Sequence, residues 1–143
     1  MIIKCISNTG KLLPFEITQK ARGWTKEAMF PLTIGKEYKV YAVEIIYGYI
    51  WYYIEDNNYD GNSVKYPIHY PAFLFEIING NFSKYWSLSF VSEGEISFVK
   101  QLISFMEWNN EDAYYDLLTD GQEREVAIYN RYKKFMDEEL SQA

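Results

Sequence analysis

His69 and Cys5, the only histidine and the only cysteine of the sequence, are the residues best suited to acid–base or nucleophilic chemistry. Nucleophilic catalysis usually places a Ser, Thr or Cys beside a base, most often a histidine. His69 stands between Pro67 and Pro71, and Cys5 stands in an apolar run, where a thiol packs as a small hydrophobic group. We interpret both as structural residues, with a Cys–His pair as the alternative.

Short motifs for other chemistries are absent from the sequence. It contains no Gly-x-Ser-x-Gly element and no glycine-rich loop leading to Lys-Ser/Thr, so the motifs of hydrolases and phosphate-binding loops are missing. With one histidine and one cysteine, a zinc site would depend on carboxylates, which is uncommon. The sequence therefore predicts no enzyme activity, no cofactor and no metal. A pair of carboxylates with separated pKa values in a cleft is the enzymatic alternative.

The polar segment that starts at Asp56 matches the opening of a calcium-binding loop. Asp56, Asn58 and Asp60 stand at positions 1, 3 and 5, and Gly61 stands at position 6. Position 12, which requires a bidentate Glu, is Pro67. We therefore predict an ordinary Asx-rich turn, with ion binding as the alternative.

Charge is distributed unevenly along the 143 residues. Residues 1–40 contain seven basic and three acidic residues, a net charge of +4. Residues 93–125 contain nine acidic and two basic residues, a net charge of −7. Exposed like charges within a Debye length add their potentials, so this acidic block attracts basic surfaces and repels phosphate. The sequence predicts a basic partner rather than a nucleic acid, and a solvated helical face is the alternative.

Aromatic residues make up 19% of the chain, with fourteen tyrosines and four tryptophans. Tyr and Trp are enriched at interface hot spots because they bury a large area and keep a polar tip. Aromatic and acidic residues overlap most closely between positions 107 and 116, which predicts a surface for a protein partner. The predicted partner-binding residues are Glu107, Trp108, Glu111, Asp112, Tyr114, Tyr115 and Asp116. In the alternative interpretation, the aromatic residues only pack helices onto strands.

The first 91 residues must supply most of the β-structure. Residues 1–7 and the alternating run after Lys36 favour strands, with a hairpin turn at Tyr47-Gly48. Prolines make the segment 66–71 edge-like, and Asn79-Gly80 predicts a hairpin between 73–78 and 82–90. Residues 11–35 lack a period and predict a surface connection anchored by Trp24, Met29 and Phe30.

A helical period follows from residue 92 onward. A capping box of Ser92 and Glu95 predicts a helix with Ile96, Val99, Leu102, Ile103 and Met106 on one stripe. Asn110 would cap a second helix, and a box of Asp120 and Glu123 would open a third.

The sequence thus predicts one α+β domain over residues 1–143, mainly β over 1–91 and mainly α over 92–143. Its β part is either a small curved antiparallel sheet or an SH3-like, partly open barrel. The longest apolar run is too short to span a membrane, and a lone cysteine suits a reducing compartment, so we expect a cytoplasmic protein without membrane contact.

The runs GKEYKVYAV (35–43) and YPAFLFEI (70–77), together with the acidic block, resemble the immunity proteins of bacterial toxin systems, including those of contact-dependent inhibition. The similarity is one of overall type. It implies a binding protein that neutralises a basic toxin domain, with a nuclease as the expected toxin. An SH3-like adaptor for an extended or proline-rich peptide is the alternative.

Overall fold

The computed structural model describes residues 1–20, 24–58, 66–92 and 99–142. Within them lie eight strands and four α-helices. The strands are β1 (Ile2–Cys5), β2 (Glu37–Lys39), β3 (Ala42–Ile46), β4 (Tyr49–Ile54), β5 (Ile68–Pro71), β6 (Phe75–Asn79), β7 (Ser87–Ser92) and β8 (Val99–Ser104); the helices are α1 (Phe15–Lys20), α2 (Met106–Asn110), α3 (Tyr114–Thr119) and α4 (Glu123–Ser141). The predicted α+β class is confirmed.

The strands form two antiparallel sheets, and neither closes into a barrel. The smaller sheet has the order β2-β1-β6, and the larger has the order β5-β4-β3-β8-β7. Side chains of a strand alternate between its faces, so the larger sheet presents two different surfaces. Val43 and Tyr52 pair across one face, whereas Ala42 and Tyr53 pair across the other.

The first of these faces packs against the smaller sheet and forms one hydrophobic core. Ile3, at the centre of the smaller sheet, is fully buried there with Ile54 and Leu74. Burying a side chain of this size contributes about 1.5 to 3 kcal/mol.

The second face is covered by helices α2, α3 and α4 and forms a separate core. Tyr53 and Leu102 from the sheet meet Phe105, Leu118 and Tyr129 from the helical part of the chain. Phe105 stacks on Tyr132 at a centroid distance of 4.3 Å, which joins the end of β8 to α4. Helices α2, α3 and α4 therefore lie on one side of the larger sheet, which is the arrangement expected when strands precede helices.

Several predicted β elements are confirmed. Residues 2–5 are a strand, and β3 and β4 form the predicted hairpin around Tyr47 and Gly48. Both turn residues have positive φ, 51° and 80°, as a two-residue type I′ turn requires. The proline-flanked segment is β5, at one edge of the larger sheet.

The predicted helix after Ser92 is wrong over its described part. Val99–Ser104 is strand β8, paired with β7 on one side and β3 on the other. The helix prediction depended only on the spacing of the apolar residues. In the structure, Leu102 and Ile103 point to opposite faces of the sheet and pack in the two different cores. The capping residue Glu95 lies outside the described residues.

The predicted hairpin at Asn79-Gly80 is also wrong. β6 pairs with β1, and β7 pairs with β8. Gly80 lacks the positive φ of a type I′ turn, and the Asn79 side chain instead accepts a hydrogen bond from the Asn81 amide at 3.0 Å. An Asx turn ends the strand here because the chain must cross from one sheet to the other.

Helix ends differ from the predicted capping boxes. α3 follows Ala113, not Asn110, and α4 follows Gln122 without a side-chain cap. Gly121, with φ 76°, ends α3, and its amide donates a hydrogen bond to the Leu118 carbonyl at 3.0 Å, the usual role of a glycine after a helix. The predicted connection 11–35 contains the short helix α1, and Met29 is 81% exposed, so it does not anchor the segment.

Candidate functional site

The helical side of the larger sheet carries a cleft of about 540 Å³, here called the acidic cleft. It lies between strands β4, β7 and β8 and helices α2 and α3. Its lining residues are Tyr53, Phe90, Lys100, Leu102, Trp108, Asn109, Glu111, Asp112, Tyr115 and Asp116. Five of the seven residues predicted to bind a partner are therefore together in one cavity.

Aromatic rings form one wall of the acidic cleft. Trp108 and Tyr115 stack with their centroids 5.4 Å apart and their planes 10° apart, and Tyr53 meets Trp108 edge to face at 4.8 Å. The Tyr115 hydroxyl donates to the Pro67 carbonyl at 2.7 Å, which fixes the ring against β5. Each ring of this wall is therefore in contact with another ring, and Tyr115 is also fixed by its hydrogen bond.

Three carboxylates give the acidic cleft its charge. Asp112 and Asp116 are exposed. Glu111 accepts two hydrogen bonds from the Arg124 guanidinium, at 2.8 and 3.0 Å, and these bonds lower the pKa of Glu111 below its ordinary value. Arg124 thus neutralises much of the Glu111 charge, whereas Asp112 and Asp116 can act on a partner.

The other two predicted residues do not line the cleft. The Tyr114 ring is 1% exposed, and its hydroxyl donates to the Glu125 carbonyl at 2.9 Å. Glu107 is buried and accepts a hydrogen bond from Tyr132 at 2.9 Å. Their side chains pack the helices together, as the alternative interpretation expected, and they are not presented at the surface.

The floor of the cleft contains a buried charged cluster that the sequence did not reveal. Glu44, only 1% exposed, accepts hydrogen bonds from Lys100 at 2.7 Å and from the Tyr53 hydroxyl at 2.8 Å. Its other oxygen lies 3.2 Å from His69 Nδ1. A carboxylate can only accept, so Nδ1 of His69 carries the proton in this contact.

Burial alone would raise the pKa of Glu44, but the hydrogen bond from His69 and the charge of Lys100 hold it below its ordinary value. The same burial, together with the Glu44 charge, raises the pKa of Tyr53 far above that of a free phenol. Glu44 is therefore ionised and Tyr53 is neutral at physiological pH, which leaves Lys100 paired within the protein.

A second cleft, of about 380 Å³, lies on the other side of His69 and is here called the aromatic cleft. Its lining residues are Glu16, Ile17, Trp24, Ile46, Tyr47, Tyr49, Trp51 and His69. Trp24 and Trp51 meet at 5.2 Å with an interplanar angle of 75°, so they form two adjoining walls. Trp51 also packs on His69 at 4.8 Å.

The arrangement around His69 has the orienting carboxylate of a catalytic dyad, Glu44. No Ser, Thr or Cys is among the described residues that line either cleft. Cys5 is buried in the core between the sheets, where burial raises its pKa, and its thiol donates to the Ser7 carbonyl at 3.3 Å.

No group of three or more His, Cys, Asp or Glu side chains suited to a metal ion occurs in the described part of the chain. Asp56, the first residue of the calcium-like segment, accepts hydrogen bonds from the Tyr70 hydroxyl at 2.5 Å and from the Asn58 amide at 3.0 Å. Both oxygens of this carboxylate therefore bond within the protein, and the bond from the Asn58 amide forms an Asx turn. Residues 59–65, which would complete the loop, lie outside the described residues.

Comparisons with known protein families, with curated proteins and with solved structures gave no match to this chain. None of the helices described is long and apolar enough to cross a membrane. The interpretation of both clefts therefore depends on their geometry and charge.

Three residues of the site were not identified from the sequence, and these are Tyr53, Lys100 and Glu44. In the sequence, Tyr53 is one of several aromatic residues in a predicted strand, and nothing distinguishes it from the others. Lys100 lies in a segment that was predicted to be helical. Glu44 carried a weak signal, a lone carboxylate in an otherwise apolar and aromatic run. A charge at such a position is rarely buried without a partner, and this could have directed attention to His69 or a lysine.

Proposed function

We propose that this protein is a non-enzymatic cytoplasmic binding protein that neutralises a basic toxin domain, in the manner of an immunity protein, and that the acidic cleft is its contact site. The observation that carries the proposal is the pairing of exposed carboxylates, Asp112 and Asp116, with the aromatic wall of Trp108 and Tyr115. A lysine or arginine side chain fits both features of such a cleft. Its charge meets the carboxylates and its stem or guanidinium plane lies on a ring.

The charges act at two distances. The two exposed carboxylates attract a basic surface during approach, and this increases the association rate more than the final affinity. Once the partner is docked, a basic side chain in the cleft is partly removed from water, and its attraction to Asp112 and Asp116 increases. A toxin nuclease is the expected partner because its active site must be basic to hold phosphate.

Co-expression with the toxin domain encoded beside this chain tests the proposal, with cell survival and co-purification as readouts. We expect the native sequence to protect and to co-purify. The double variant Asp112→Lys, Asp116→Lys should lose protection and weaken binding by about a hundredfold or more, because like charges then face the basic partner. Both positions are exposed, so folding is expected to be unaffected.

The matched control is Glu27→Lys with Glu37→Lys, which changes the net charge equally at exposed positions that do not line the cleft. It should protect as the native sequence does. If both double variants lose protection equally, overall charge rather than the acidic cleft is responsible. If neither loses protection, the acidic cleft is not the contact site.

A further inference from the structure

The aromatic cleft has the composition of a site for an organic cation. Trp24, Trp51, Tyr47 and Tyr49 contribute four aromatic side chains, and Glu16 contributes a carboxylate. Ring faces carry a negative potential that attracts cations, and this attraction increases when the cation is desolvated. The volume of about 380 Å³ lies at the small end of the range for ligand sites.

The carboxylate is held in place from within the protein. The Tyr49 hydroxyl donates to Glu16 Oε2 at 3.2 Å, and Ile17, the next residue of α1, is buried in the core between the sheets. The helix that carries Glu16 is therefore anchored beside the rings. His69 lines the same cleft, and its proton on Nδ1 is directed to Glu44 rather than into the cleft.

The turn at the mouth of this cleft is built at some cost in stability. Tyr47 has a φ of 51°, a left-handed conformation that Asn or Gly adopts readily and a bulky side chain does not. Its ring is 66% exposed and lines the cleft. Strained residues of this kind are concentrated at binding sites, where the position of the side chain compensates for the strain.

We propose that the aromatic cleft binds an alkylated ammonium group, a quaternary ammonium in its simplest form. In such a group the positive charge is spread over methyl groups. It therefore binds to aromatic rings beside a carboxylate more readily than a primary ammonium does, because a primary ammonium is strongly hydrated. Such a group occurs in free choline-like molecules and in methylated lysine side chains. This site is separate from the acidic cleft and does not depend on the toxin-neutralising function.

Titration of the full chain with choline, followed by proton–nitrogen NMR of the indole N–H groups, tests this directly. We expect the Trp24 and Trp51 signals to shift with a Kd on the order of 1 mM or tighter. The neutral analogue of choline, with a tert-butyl group in place of the ammonium, should bind at least about tenfold more weakly. The same titration with a peptide that contains trimethyllysine, and with its unmethylated form as the control, measures whether the cleft binds a methylated lysine side chain more tightly than free choline.

Two variants distinguish the effect of the Glu16 charge on choline binding from a general effect of substitution on the fold. Glu16→Gln removes the carboxylate from an exposed position and should weaken choline binding about fivefold to tenfold. Glu37→Gln, at an exposed position in β2, is the matched control and should bind as the native chain does. The proposal is overturned if the neutral analogue binds as well as choline. It is equally overturned if choline leaves both indole signals unchanged.

Discussion

Glu44 occupies the middle of a sheet face, where an unpaired carboxylate would cost several kcal/mol. Three neighbours on different strands remove that cost: Tyr53 on β4, Lys100 on β8 and His69 on β5. Lys100 and Tyr53 line the acidic cleft, and His69 lines the aromatic cleft. One buried residue therefore orients side chains of both candidate sites.

The variant Glu44→Gln should destabilise the protein by about 2 to 3 kcal/mol near neutral pH, because it leaves Lys100 and His69 without their negative partner. Urea unfolding followed by tryptophan fluorescence measures this. A change of less than about 0.5 kcal/mol would show that the cluster contributes little to the fold.

Stability should also depend on pH through Glu44. Its pKa is lower in the folded protein than in the unfolded chain, so its stabilising effect is complete above about pH 4.3 and is lost as the pH falls through the lower folded pKa. The native chain should therefore lose more stability on acidification than Glu44→Gln does. Parallel curves for the two proteins would contradict this.

Among the secondary-structure elements, the β3–β4 hairpin shows what can be predicted from residues that are neighbours in the sequence. Its strands and its Tyr47-Gly48 turn were predictable because neighbouring residues determine both the period and the turn type. β8 was not predictable in this way, since its partners are β7 and β3 and its apolar spacing also fits a helix. For the same reason, the Asn79-Gly80 signal was overruled by pairing between β6 and the distant β1.

Replacing Tyr47 with Asn should relieve the strain in this turn and stabilise the protein by about 0.5 to 1 kcal/mol. The same variant should weaken choline binding, because a ring is lost from the aromatic cleft. Urea unfolding and the NMR titration measure the two effects on one sample. A destabilised variant would mean that contacts of the Tyr47 ring outweigh the backbone strain.

At the scale of the whole molecule, the two sheets and the helices divide the aromatic residues among two cores and two clefts. Fourteen tyrosines are more than a core of this size can bury, and Tyr47 is indeed 66% exposed. Three buried tyrosines nevertheless donate their hydroxyl to a partner: Tyr53 to Glu44, Tyr70 to Asp56 and Tyr114 to the Glu125 carbonyl. Aromatic content alone was therefore a poor guide to the surface.

The acidic block was a better guide, because charge resists burial. Glu111, Asp112 and Asp116 all line one cleft, with Trp108 and Tyr115 beside them. The exceptions are Glu107 and Glu125, which are buried against groups from the same helical layer. The Glu107 pairing depends on how α2 and α4 pack, so the linear order of charges could not separate Glu107 from the surface carboxylates.

The most direct test of the acidic cleft is the rate at which the purified protein associates with its toxin domain at increasing salt. If Asp112 and Asp116 steer the encounter, the association rate constant should fall about tenfold or more between about 0.02 and 0.5 M salt. The Asp112→Lys, Asp116→Lys variant should start slower and lose most of this salt dependence. An association rate that is the same at all salt concentrations, or a salt dependence unchanged in the variant, would contradict the proposal.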